Sequence, residues 1–139
     1  MGRKIIIIAA FLVIAAVFYG YAHFIPANII KADTIPMDLE VLETQQLVGL
    51  NIDADALHFG RIGRGGNGMR IINLSNSGDF PVRIKLGTEG PIGKWLFYEK
   101  NNFILNNKSS DEIDLIVFVP EDADAGIYNS TLVVVYRKA

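Results

Sequence analysis

Residues 113–136 read IDLIVFVPEDADAGIYNSTLVVVY. Ile113, Leu115, Val117 and Val119 alternate with other residues until Pro120 stops the run. The acidic stretch Glu121–Gly126 is a turn, and Ile127–Tyr136 starts again with Tyr128, Leu132, Val134 and Tyr136 prominent. A period of two with a proline at its end is the pattern of a half-buried strand, one face to a core and one to water.

The same pattern extends upstream. Met37, Leu39 and Val41 alternate with Asp38, Glu40 and Leu42, and Val48, Leu50 and Ile52 with Gly49, Asn51 and Asp53. Leu57–Phe59 is a short strand before the glycine-rich loop Gly60–Gly68, and Met69–Leu74 resumes as a strand. Val82, Ile84 and Leu86 alternate, Gly87–Lys94 breaks regular structure, and Trp95 and Phe97 share a face directed at the core. Phe103 and Leu105 precede the final pair. No sustained 3.6-residue period occurs in this part. About seven strands joined by turn chemistry indicate an all-β, antiparallel immunoglobulin-like β-sandwich.

Before that domain comes a segment of another kind. Ile5–Phe24 is an apolar run of about 20 residues, the length that spans a bilayer core as a helix. Arg3 and Lys4 precede it, and Lys31 is the one base shortly after it. The positive-inside bias then keeps residues 1–4 in the cytoplasm, makes 5–25 a single-pass transmembrane anchor and exports the rest. Tyr19 and Tyr21 fit the far interface. Residues 26–36, with Pro26 and Pro36, read as a tether, and 37–139 as the sandwich. Two alternatives place the domain outside the cytoplasm as well. One is a cleaved signal peptide, with small residues at Gly20 and Ala22. The other is a filament subunit whose helix packs against other copies.

From Asp33 onward there are ten Lys/Arg and fifteen Asp/Glu. This acidic balance argues against a nucleic-acid partner, since phosphate binding needs a basic surface. There is no cysteine, so disulfides and thiolate metal sites are excluded. Asn73-Leu74-Ser75, Asn107-Lys108-Ser109 and Asn129-Ser130-Thr131 match the N-glycosylation sequon. Ten Asn and nine Ser/Thr would give fewer than one match by chance, so Asn73, Asn107 and Asn129 are candidate acceptors, with ordinary Asn-rich turns as the alternative.

Two segments carry a family likeness. Leu57-x-Phe59-Gly60-x-Ile62-x-x-Gly65, followed by Ile72-x-Leu74-x-Asn76-x-Gly78-x-x-Pro81-Val82-x-Ile84, resembles the ASH/MSP-like group of immunoglobulin-like domains. Ile113–Tyr128, with Val119-Pro120-x-Asp122-Ala123-x-x-Gly126-x-Tyr128, resembles related sandwich modules beside extracellular enzymes and in archaeal surface proteins. The resemblance implies a sandwich with a turn Asn-x-Gly, an edge proline and a corner tyrosine, and it implies no shared catalytic set. One anchor bearing one sandwich is also similar in layout to archaellum stator components that contact a surface layer.

Candidate chemistry is sparse. The Gly60–Gly68 loop lacks the Gly-Lys-Ser/Thr of a phosphate loop. Arg61, Arg64 and Arg70 form a candidate basic patch for a partner at one end of the sandwich, and Tyr98 is the aromatic expected on the surface. The pairs Asp53/Asp55 and Asp122/Asp124 are too few for calcium. His23 and His58 are too few for zinc. No residue set supports catalysis and no cofactor is expected. The expected function is a non-catalytic interaction or structural module of the cell envelope, its partner another envelope or surface-layer protein, with a homo-oligomer possible. Strand addition at Tyr128–Tyr136 is the expected mode if that strand lies at an edge. A secreted carbohydrate-binding sandwich is the remaining alternative.

Overall fold

The computed structural model describes residues 12–15, 19, 28–44 and 56–139. Eight strands follow in chain order: β1 (Ile29–Leu42), β2 (Leu57–Gly63), β3 (Asn67–Asn76), β4 (Val82–Glu89), β5 (Leu96–Tyr98), β6 (Phe103–Leu105), β7 (Ser109–Phe118) and β8 (Gly126–Lys138). A 3₁₀ turn, Pro91–Lys94, precedes β5. They form two sheets, one in the order β2-β1-β8-β4-β6 and a smaller one in the order β3-β7-β5.

Alternation in each strand sends one set of side chains between the sheets. Met37, Leu39 and Val41 of β1, Val82, Ile84 and Leu86 of β4 and Leu132, Val134 and Tyr136 of β8 line the large sheet. Ile72 and Leu74 of β3 and Ile113, Leu115 and Val117 of β7 meet them from the small one. Each fully buried aliphatic contributes about 1.5–3 kcal/mol of transfer free energy, so this layer is the main source of stability.

The turn motifs hold the two sheets in place. Asn76 is buried, and its Nδ2 donates to the carbonyls of Phe80 (2.9 Å), Asn106 (3.0 Å) and Leu105 (3.3 Å), while its Oδ1 accepts from the Gly78 amide (3.1 Å). One side chain thus ties the end of β3 to β6 in the other sheet. The Tyr128 hydroxyl donates to the Asp124 carbonyl at 2.7 Å, the corner that closes the turn into β8. Both were legible as motif residues.

The β-sandwich expectation agrees with these two sheets, but five details differ. The strands among the described residues number eight, and β1 pairs with β2 in parallel from Met37↔Leu57 to Leu42↔Gly63, so the fold is not wholly antiparallel. Parallel neighbours need a crossover of a dozen or more residues, and residues 43–56 lie between these two. The tether is shorter than expected: from Ile29 onward it is the first half of β1, paired with β8 from Ile29↔Arg137 to Pro36↔Thr131. Pro36 is tolerated because β2 joins only at Met37, leaving β1 an edge at that point.

The glycine loop is also shorter, since β2 runs through to Gly63. Gly60, at φ 78°, absorbs the register shift opposite Asp38/Glu40 as a bulge. Lastly, β8 lies between β1 and β4, so its Leu132–Val135 run is interior and offers no edge.

The strand expected at Val48–Ile52, the Asp53/Asp55 pair and His23 lie outside the described residues. So does most of the 5–25 anchor, of which residues 12–15 and 19 are helical. Among the described residues no helix is long and apolar enough to cross a membrane.

Candidate functional site

The outer face of the small sheet is apolar where water should favour polar groups. Register sets Met69 of β3 opposite Ile116 of β7, and Ile116 opposite Phe97 of β5, giving one row across all three strands. Ile71 and Phe118 lie on the same face, opposite Asp114 and Asn67. Phe97 is 66% exposed, Ile71 54%, Phe118 52% and Met69 50%. Scattered apolar residues on a surface need no explanation, but a contiguous set marks an interaction surface.

Beside that row lies the free edge of β3, which pairs only with β7. Edge strands are normally blunted by brevity, bulges, proline or lysine. β5 and β6 are three residues each, and β2 carries the bulge. β3 has ten residues in unbroken register and contains neither proline nor lysine. Arg70 is its one charge, so it is the longest and least protected edge among the described strands.

The other surface feature is an open groove of about 330 Å³ on the outer face of the large sheet, lined by Asp38, Leu39, Glu40, Gly60, Arg61, Ile127 and Asn129. Its charges are matched across strands. Asp38 contacts His58 Nδ1, and Arg61 Nε donates to Glu40 at 2.6 Å. That hydrogen bond raises the Arg61 pKa further. The lining carries no hydroxyl or thiol nucleophile, and no cluster of three or more metal-ligating side chains exists among the described residues.

The three arginines expected in one patch each have a different partner. Arg61 is committed to Glu40 on the large sheet. Arg64 sits in the β2–β3 turn, with its Nε donating to the Ala123 carbonyl at 2.7 Å. Arg70 is on the small sheet and donates to the Met69 carbonyl at 2.9 Å. Tyr98 is half-buried rather than a surface aromatic, packs on the core and shares a 2.5 Å hydrogen bond with Thr88 Oγ1. Phe97, expected inside, faces out. The cause is the 3₁₀ turn: it buries Ile92, Trp95 caps it, and Leu96 takes the inward position. Trp95 is half-buried against the core, with its ring centroid 4.8 Å from that of Tyr128. Asn73, Asn107 and Asn129 are all exposed.

Met69, Ile71, Ile116 and Phe118 were missed as surface residues. Their signal was present: Met69–Leu74 and Ile113–Val119 carry apolar residues on both faces of the strand, where a half-buried strand needs only one.

No protein-family profile matches the chain, and no curated protein does. Among solved structures it is similar to a DraE adhesin in complex with chloramphenicol succinate, at 15% identity and a TM-score of 0.43, covering 76% of this chain and 95% of that one.

Proposed function

We propose that this chain is a non-catalytic protein-interaction module of the cell envelope, anchored by residues 5–25 and displayed outside the cytoplasm. It engages an envelope or surface-layer protein through the β3 edge and the Met69–Ile116–Phe97 row. The observation that carries the reading is the coincidence of a ten-residue edge whose one charge is Arg70 with exposed apolar side chains on the same sheet. Strand addition uses both: main-chain hydrogen bonds supply affinity and side-chain contacts supply specificity. The anchor and the export rest on the apolar run and its flanking bases, and the resemblance to surface-protein sandwiches points the same way.

Glycans on Asn107, in the β6–β7 turn, and on Asn129, on the large sheet, are compatible with this use. A glycan on Asn73 would stand two residues from Ile71 on the same face and cover it. The reading therefore expects Asn73 to be unmodified when the partner is bound.

The test is a photo-crosslinking residue at Ile71 of the full chain in native membranes, with Lys85 on the large sheet as the control position. A discrete adduct from position 71, absent from position 85 and lost in the Phe97→Asp background, supports the reading. An adduct with the mass of two copies of this chain moves it to self-assembly. No position-specific adduct removes it.

A further inference from the structure

The large sheet carries an unexplained row of its own. At the end where β1 begins and β8 finishes, register aligns Ile29 with Arg137, Arg137 with Arg83, and Arg83 with Ile104 across four adjacent strands. All four belong to the outer-facing set. Like charges directly opposite each other in a sheet destabilise it. Here neither guanidinium has a hydrogen-bond or ion-pair partner among the described residues, and the Nε of Arg137 is buried without one. Carboxylates do exist on this face, but Asp38, Glu40 and Glu89 all lie towards its other end.

The surroundings of the pair add cations and apolar side chains. Lys85 lies two residues along β4 on the same face, and Lys138 closes β8 with its Nζ 5.7 Å from the Phe80 ring. Ile29, Ile30, Phe80 and Ile104 are 47%, 49%, 42% and 52% exposed. Guanidinium forks match phosphate oxygens in pairs. Apolar side chains mixed with such cations suit the boundary between headgroups and acyl chains. The apolar run Ile5–Phe24 ends a few residues before Ile29, so this end of the sheet is the one next to the anchor.

We propose that the Arg83–Arg137 pair, flanked by Ile29 and Ile104, docks the sandwich on the phosphate groups of anionic lipids in the membrane that holds it. The proposal rests on the anchored reading above. Bound phosphate oxygens remove the repulsion between the two arginines. The docked domain then has one face held to the bilayer, and the small sheet, on the other side of the core, stays available.

The absence of cysteine makes a single label specific. Gly87→Cys suits it, because a side chain there meets no atom within 4 Å and Gly87 lies outside the docking row. The labelled full chain is placed in vesicles of phosphatidylcholine alone, or with roughly 30% phosphatidylglycerol, each doped with a headgroup spin label that quenches the dye. Quenching is expected to be at least about twofold stronger in the anionic vesicles, and to fall with salt. In Arg83→Gln/Arg137→Gln the docked fraction should fall on the order of tenfold, with unchanged tryptophan fluorescence as the folding control. Equal quenching in both vesicles, or undiminished quenching in the double variant, overturns the proposal. Flotation separates the two readings: a chain that floats with anionic but not neutral vesicles refutes the anchor and upholds the docking.

Discussion

β8 and β3 look alike as sequence and sit in opposite places. Leu132-Val133-Val134-Val135 of β8 is flanked by β1 and β4, with Leu132 and Val134 fully buried. Met69–Leu74 of β3 has one neighbour, and its Met69 and Ile71 face water. Apolar content therefore does not say whether a strand is central. In β8 the second apolar face is half-covered in the middle of a sheet, whereas in β3 it is left for a partner.

The sharpest way to break this contrast is Leu132→Ala. It opens a cavity in the middle of the core and should cost about 2–5 kcal/mol, read by chemical denaturation of the full chain in detergent. If it costs no more than a surface substitution, β8 is not the central strand. Asn76→Ala comes next, because it takes away the amide donor that the carbonyls of Phe80, Leu105 and Asn106 share between the sheets. A loss of about 1–3 kcal/mol is expected, with hydrogen exchange rising at the end of β3 before β8. Tyr128→Phe removes one hydrogen bond from the corner and should cost about 1 kcal/mol.

Ile71→Asp completes the series. As a surface change it should alter stability by less than about 0.5 kcal/mol, while abolishing the crosslink from a neighbouring position on β3. Substantial unfolding in this variant would make Ile71 part of the core and end the comparison.

Alkaline pH tests the β8 side separately. Burial raises the Tyr136 phenol above its ordinary range, and the charge of Asp33 pushes the same way. The folded state therefore holds that proton more tightly than the unfolded chain does. Stability should be level below pH 10 and fall as the pH rises beyond it. Lys31, raised by its hydrogen bond to Asp33, contributes in the same direction. Tyr136→Phe should therefore flatten the alkaline limb of a stability–pH curve without abolishing it.

Most of the sandwich was legible because alternation, proline and turn residues are local signals. Asn76 and Tyr128 could be picked out because each acts within a short motif. Pairing is not local, which is why nothing in Met37–Leu42 announced a parallel neighbour at Leu57. Pro36 read as a breaker because the edge that accommodates it is created by where β2 starts. Phe97 and Tyr98 were exchanged between faces by a four-residue 3₁₀ turn that shifts strand parity by one. The interaction surface was the least legible feature. An apolar side chain looks the same in sequence whether it meets a core or a partner, and only register places Met69, Ile116 and Phe97 in one row.

The placement of β1 has a consequence in time. A ribosome delivers β1 well before its partner β8, with Ile29 pairing with Arg137, about a hundred residues later in the chain. At 5–20 residues per second the wait is on the order of ten seconds. Throughout it, Met37, Leu39 and Val41 have no finished sheet to enter. During its synthesis this protein holds an adhesive strand in reserve, and whatever shields that strand in the interval determines how much of the chain reaches the folded state.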